Sequence, residues 1–236
     1  MNAAIIVAGG SGERTGLADG KQLASLAGRP VLQHTIAAFA ICPAVDEIVV
    51  VVHPERIGEY TAAAVEPLGS PKVVAVVGGG DTRQESVAAG LEAVSTEADV
   101  IMVHDGARPL VTPGLITDAV AALEADPSLD GIVVGHPSYD TLKLVDPQGR
   151  VSGTLDRALV WAAQTPQIFR AAALRAAYAS AAASGIPGTD DASLVERAGG
   201  AVAMFTGPRD NLKITVPEDL LVVERLLEAR AEASDE

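Results

Sequence analysis

The chain has 236 residues, 48% of them apolar and 20% charged, with a net charge of −14 and a single cysteine. That length supports a full hydrophobic core, and the balance is that of a globular protein, not a disordered one. The acidity argues against nucleic acid as a partner, Cys42 has no partner for an intrachain disulfide, and no apolar run reaches membrane-spanning length. Together with an N-terminus that enters a strand at once, with no basic leader, these features point to a soluble cytoplasmic protein.

The first element is an apolar run, Ala4–Ala8, that breaks into Gly9-Gly10-Ser11-Gly12 and then delivers Arg14 and, seven residues later, Lys21. Glycines at a strand end let backbone N–H groups approach an anion closely, because no Cβ intervenes. A dinucleotide fingerprint would need glycine at Thr15, and a P-loop would need glycine at Thr15 and Ser or Thr at Gln22, so both patterns fail. Two cations after such a loop suit a polyphosphate. The stretch reads as the triphosphate-binding loop of a nucleotidyltransferase.

Further along, the spacing predicts strands at Glu47–Val52, Val73–Val77, Val100–Val103 and Gly131–Val134. Between them lie helices: one opened by Pro30 with Leu32, Ile36 and Phe39 on a single face, then Glu55–Leu68, Gln84–Val94 and Pro113–Ala125. Apolar strands without polar alternation, each followed by a helix, predict a Rossmann-like, mostly parallel sheet with helices on both faces. The glycine loop, Gly78-Gly79-Gly80-Asp81 and His104-Asp105-Gly106-Ala107-Arg108 all follow strands and should share one rim.

The pattern then changes. Thr141–Val145 and Arg150–Leu155 flank Asp146-Pro147-Gln148-Gly149, a hairpin signal with no obvious place in a parallel sheet. Such a ribbon should project, and because two strands alone are marginal in water, a partner subunit is expected to cover it. Beyond it the sequence predicts a helix near Ala171–Ser184, a short helix after Gly188-Thr189-Asp190-Asp191, strands at Ala201–Phe205 and Leu212–Thr215, and a last helix from Pro217. The expected organisation is one nucleotidyltransferase domain over 1–230, an arm at roughly 138–158 and a tail at 231–236.

Taken in order, Ala8 to Arg14, Lys21-Gln22, Gly79 to Arg83 with Ser86-Val87, Val103-His104-Asp105 and Ala107-Arg108-Pro109 carry a resemblance, continued by Asp140 to Lys143, Arg157, Gln164 to Gln167, Thr189-Asp190 and Asp210 to Lys213. The chain resembles the 2-C-methyl-D-erythritol 4-phosphate cytidylyltransferases over nearly its whole length. It departs from the family pattern at Thr15, at Gly106 and at Gly20, where proline is usual.

The resemblance implies that a phosphate oxygen of methylerythritol phosphate attacks the α-phosphorus of CTP. Arg14, Lys21, Arg157 and Lys213 match the catalytic positions, and Ala8, Gly9, Gly10, Gly12, Gly79, Gly80 and Ser86 those that hold CTP. Arg108, Thr141, Thr165 and Thr189 would line the polyol site. Mg²⁺ should bridge the phosphates, with Asp105 the first protein carboxylate and Asp210 the second. His104 is expected to be structural, and Arg83 to anchor its loop without touching CTP. Arg157, just past the arm, would act across a homodimer interface. The rivals are a cytidylyltransferase for another polyol phosphate such as ribitol 5-phosphate, a dinucleotide-dependent reductase, and a non-catalytic nucleotide sensor. Asp140 to Lys143 and Thr189 to Ser193 favour methylerythritol phosphate, and the length leaves no room for a fused cyclodiphosphate synthase.

Overall fold

The computed structural model describes residues 1–9 and 20–234. Gly10, Gly12 and Arg14, central to the predicted triphosphate loop, lie outside the described residues.

Strands β1 (Asn2–Val7), β4 (Glu47–Val52), β5 (Val73–Gly78) and β6 (Val100–Asp105) pair in parallel. A short hairpin, β2 (Ser25–Leu26) and β3 (Arg29–Pro30), leads into helix α1 (Val31–Ala40). The central strands β1, β4 and β6 are buried and mostly apolar because both faces are covered, whereas the edge strand β5 is only partly buried. Ala4, Ile6, Val50 and Met102 face α1 (Leu32, Ile36, Phe39) and α4 (Pro113–Ala125; Ile116, Val120, Leu123). Ala3, Ile5, Val49, Val51 and Ile101 face the other layer. That layer is α3 (Arg83–Ala93), α5 (Ala171–Ser184) and α6 (Asp191–Arg197). Alternate residues of each strand thus feed two cores, as a two-residue side-chain period requires.

Among the described residues the sheet order, completed by β7 (Gly131–Pro137), β10 (Trp161–Arg170) and β11 (Val202–Thr206), is β11-β7-β10-β6-β1-β4-β5. The chain runs outward from β1 through β4 to β5, then returns to β6 on the other side of β1. This reversal opens a crevice beyond the C-terminal ends of β1 and β6, where ligands of open α/β sheets sit.

Three expectations are corrected. Strand β10 was not anticipated, and it runs antiparallel to both neighbours, so the sheet is mixed though mostly parallel. Glu55–Leu68 is not one helix. It divides into a 3-10 turn (Pro54–Arg56), α2 (Ile57–Tyr60), a π turn (Thr61–Val65) and a second 3-10 turn (Glu66–Leu68). Pro67 removes a ladder donor in that stretch, and π and 3-10 turns absorb the break. Leu212–Thr215 is no strand: the Leu212 and Ile214 amides donate to Asp210 O and Ala107 O, tying this segment to the loop after β6. Helix α7 (Pro217–Ser234) packs above it through a small cluster of Leu26, Val31, Leu110, Ile214 and Val223.

The arm forms as its own sheet, β8 (Lys143–Val145) against β9 (Val151–Thr154). Asp146 Oδ1 accepts from the Gln148 and Arg150 amides, and Gly149 closes the turn at φ +78°. At its base, Ser138 N donates to Val160 O and Arg209 lies 3.6 Å over the Tyr139 ring.

Candidate active site

The rim is built where β1, β5 and β6 end. Gly9 follows β1 and Gly79 follows β5, and both press on the hydroxyl of Ser86 in α3. A Cβ at Gly79 would stand 2.5 Å from Ser86 Oγ and one at Gly9 3.3 Å from it. Only glycine permits the first approach. Ser86 donates to Thr82 O at 3.0 Å, and Thr82 caps α3 in a reciprocal box with Glu85. Ala8, Gly9, Gly79, Gly80 and Ser86 therefore converge on one rim.

The end of β6 carries the charges. Asp105 receives Lys213 Nζ on Oδ2 at 2.8 Å and Arg83 Nε on Oδ1 at 3.1 Å, with Arg108 Nε 3.9 Å from Oδ2. Burial alone would raise this carboxyl, but Arg83, Lys213 and Arg108 outweigh it and hold it well below the usual carboxylate range. Arg83 also donates from Nη2 to Asp191 at 2.8 Å. Burial opposes its charge, yet Asp191 and Asp105 raise it above an ordinary arginine. Within this ion-paired cluster cations outnumber carboxylates three to two (Arg83, Arg108 and Lys213 against Asp105 and Asp191), so the cluster itself is net positive in an acidic protein. Arg108 donates through Nη1 to Asn211 O, while its buried Nε has no hydrogen-bond partner among the described residues.

Strand β10 locks this cluster from the side. Its ladder with β7 is interrupted between Ala163 and Gln167, where Pro166 has no N–H to give. Thr165 in that bulge accepts the Asp105 amide at 3.1 Å and meets His104 Nδ1 at 3.0 Å. His104 Nε2 faces the Arg108 carbonyl, an acceptor, so the neutral ring carries its hydrogen there. Burial lowers the His104 pKa to about 3, which makes it a neutral spacer as expected. Gln167 holds Asp190 and the Ala192 amide, and Asn211 donates to Gln164 Oε1 and Thr165 O.

Lys21 lies near Asp219 at the start of α7. Slight burial of that carboxyl is outweighed by the Thr215 and Val216 amides, the Thr215 hydroxyl and Lys21, which lower its pKa. Gly20 enters Lys21 at φ +75°, a left-handed conformation closed to proline, so the departure from the family pattern has a conformational use. Thr141 and Arg157 lie exposed on and beside the arm, and Thr189 is exposed with its amide on Ser193 Oγ. Asp210 does not face the cluster's cations; Arg230 pairs with it at 2.8 Å.

Sequence reasoning missed the double grip of Arg83 and the buried pair Asp191 and Tyr178. No spacing signal links residues so far apart in the chain.

No group of three or more His, Cys, Asp or Glu forms a metal cage among the described residues. A magnesium ion bridging phosphates needs only one or two carboxylates, and ionised Asp105 fits that requirement. Both carboxylates are already paired, Asp105 with Lys213 and Arg83 and Asp210 with Arg230, so an ion at either would share it with those cations.

A mostly parallel sheet with glycine turns and a cation-rich rim at its switch point defines the nucleotidyltransferase class of α/β enzyme. Within that class the chain belongs to the 2-C-methyl-D-erythritol 4-phosphate cytidylyltransferase family, whose model matches residues 2–229. It is 44% identical over 228 residues to the cytidylyltransferase of that name from Geotalea uraniireducens, covering 96% of each chain. The Symbiobacterium thermophilum relative is 44% identical over 227 residues, 96% of this chain and 93% of that one. Among solved structures, the 4-diphosphocytidyl-2C-methyl-D-erythritol synthase of Anaerococcus prevotii superposes with a TM-score of 0.83 at 28% identity, covering 97% of this chain and 96% of that one. The Thermus thermophilus cytidylyltransferase gives 0.74 at 32%, covering 97% and 98%.

Proposed function

We propose that the rim at the switch point is where this chain carries out the reaction of its family. In that reaction the cytidylyl group of CTP passes to 2-C-methyl-D-erythritol 4-phosphate, giving the CDP-alcohol and pyrophosphate in isoprenoid synthesis. An acceptor phosphate oxygen bonds to the α-phosphorus of CTP, and the bond from that phosphorus to the bridging oxygen breaks as pyrophosphate leaves. The nucleophile is already an anion, so the protein's task is to bring anions together and stabilise growing charge.

Ala8, Gly9, Gly10 and Gly12 take the triphosphate, and Gly79, Gly80 and Ser86 take the base and ribose. Arg14 and Lys21 meet the developing charge. Lys213 holds the acceptor phosphate, and Arg108, beside Asp105 at the same strand end, lines the site of the second substrate. Thr141, Thr189 and, across a dimer interface, Arg157 complete the polyol site. Thr165, whose hydroxyl is already engaged by Asp105 N and His104, holds the site in shape. Asp105 would hold Mg²⁺, which when bound would neutralise charge on the phosphates.

The homodimer rests on the arm, whose Leu144, Val145 and Val151 are exposed. A cytoplasmic setting accords with one cysteine and with the absence, among the described residues, of a helix long and apolar enough to cross a membrane.

The observation that carries the reading is Lys213 on Asp105 Oδ2 at the switch-point rim. Pyrophosphate release should require CTP, Mg²⁺ and methylerythritol phosphate together. Equal or faster turnover with ribitol 5-phosphate would overturn the choice of acceptor, and turnover in excess chelator the metal.

A further inference from the structure

Asp191 is a wholly buried carboxylate that no step of the reaction uses. It opens α6, accepts the Tyr178 hydroxyl on Oδ1 at 2.6 Å and takes Arg83 Nη2 on Oδ2 at 2.8 Å. Burial and the neighbouring Asp191 charge both push the Tyr178 hydroxyl far above its ordinary pKa, so it serves only as a donor. A buried charge is costly unless paired and hydrogen-bonded, and this one is both.

The geometry of Arg83 gives the arrangement a second meaning. Its Nε and Nη2 form the edge of the guanidinium that ordinarily grips one carboxylate with two parallel bonds. Here that edge is divided: Nε goes to Asp105 Oδ1 and Nη2 to Asp191 Oδ2. Were Arg83 to close with both donors on Asp105, its Nη2 would compete with Lys213 for Oδ2. Oδ2 is instead left to Lys213 at 2.8 Å. An alternating chain of donors and charges thus runs from Tyr178 on α5 through Asp191 and Arg83 to Asp105 and Lys213. In a weakly solvated interior such a chain transmits small displacements, because each group's position depends on the next.

We propose that Asp191, held by Tyr178, is a positioning residue: by retaining half of the Arg83 fork it reserves one Asp105 oxygen for Lys213 and so sets where the Lys213 ammonium stands. This rests on the reading of Asp105 and Lys213 as parts of the reacting site. A purely structural pair between α3 and α6 would stabilise the fold without reaching Lys213.

The test compares Tyr178→Phe, Asp191→Asn and Lys213→Ala in the full chain. It reads steady-state kinetics with CTP and methylerythritol phosphate, thermal melting, and the ¹H–¹⁵N signal of the Lys213 ammonium. We expect kcat to fall ~10-fold or more in Asp191→Asn and ~3-fold in Tyr178→Phe, because a small misplacement at a reacting site is costly. KM for CTP should stay within about two-fold, since the ribose and base contacts are untouched. The Lys213 signal should move in both.

Unchanged kcat in both variants would overturn the inference. So would a loss fully explained by the unfolded fraction while the Lys213 signal stays in place. If Asp191→Asn does not fold, Tyr178→Phe decides, because it removes one hydroxyl and leaves no new charge. Wild-type kcat in Lys213→Ala would instead remove the reading of the site. Inactive Lys213→Ala beside fully active Asp191→Asn and Tyr178→Phe would remove only the positioning role.

Discussion

The rim around Asp105 and the hairpin arm both depart from the rule that polar groups face water and apolar ones the core, and they do so in opposite ways. At the rim, two buried carboxylates are partnered inside the chain: Asp105 by Lys213 and Arg83, and Asp191 by Arg83 and Tyr178. On the arm, apolar groups face solvent; Val145 is 57% exposed and Val151 62%. A buried charge can be satisfied by residues from several elements, because the C-terminal ends of adjacent strands gather them. A two-stranded ribbon has nothing behind it, so its apolar face stays in water unless something outside the chain covers it. The charged cluster finds its partners within one chain, and the exposed arm is the surface on which the proposed dimer rests.

The strongest way to break this contrast is to strike the rim. Lys213→Ala and Asp105→Asn should each lower kcat by at least ~10²-fold, the scale for losing one charge-stabilising group in a transition state. Asp105→Asn should also weaken the response to Mg²⁺. Near-normal turnover with an unchanged metal response would show that the cluster is only a structural knot.

The arm should fail differently. Val145 and Val151 oppose each other across β8 and β9. Replacing them by a charged pair, Val145→Lys with Val151→Asp, keeps a favourable cross-strand contact while removing the apolar patch. The chain should become monomeric by light scattering, with the same melting profile for the main domain and kcat reduced ~10-fold or more if Arg157 works across the interface. Arg157→Ala and Lys21→Ala, each nearly inactive alone, should regain activity when their subunits exchange. No recovery despite verified exchange would place Arg157 in its own chain's site.

The two regions also differ in how far the sequence disclosed them. Strands β1, β4 and β6 were legible because burial on both faces leaves unbroken apolar runs, and α1 and α4 because their apolar stripes recur at helical spacing. The arm announced itself through Asp146-Pro147-Gln148-Gly149 between alternating segments. Gly9, Gly79, Ser86, Asp105, Arg108 and Lys213 were individually visible, and the structure brings them to neighbouring strand ends. Strand β10 was hidden because Ala162, Ala163, Gln164 and Pro166 are poor strand formers, held in place only by the strands on either side. The divided grip of Arg83 was hidden for a related reason. Its partners Asp105 and Asp191 lie 22 and 108 residues away, and no local period records a contact made by topology. Leu212–Thr215 misled because its apolar alternation serves the small cluster under α7, not a ladder.

The smallest expected effect concerns pH and belongs to the rim alone. Burial lowers the His104 pKa to about 3, against 6.5 for a free side chain, so the folded protein keeps the ring neutral while the unfolded chain would protonate it. Below the unfolded pKa the unfolded state therefore binds more protons than the native one. Stability from this group is fully present above about pH 6.5 and is lost as pH falls toward 3, at ~1.4 kcal/mol per pH unit. For a chain of this length that corresponds to a fall of ~3–6 °C in Tm per unit. His104→Gln removes the titrating group and leaves an amide to meet Thr165 and the Arg108 carbonyl. Its Tm should be lower at neutral pH, because the amide fills the ring's space imperfectly, yet should decline less between pH 6 and pH 4.5. That window lies above the range in which Asp105, with its depressed pKa, begins to contribute. Parallel melting curves for wild type and His104→Gln across it would mean that water or a local opening reaches the ring, and that the rim is less sealed than its hydrogen bonds imply.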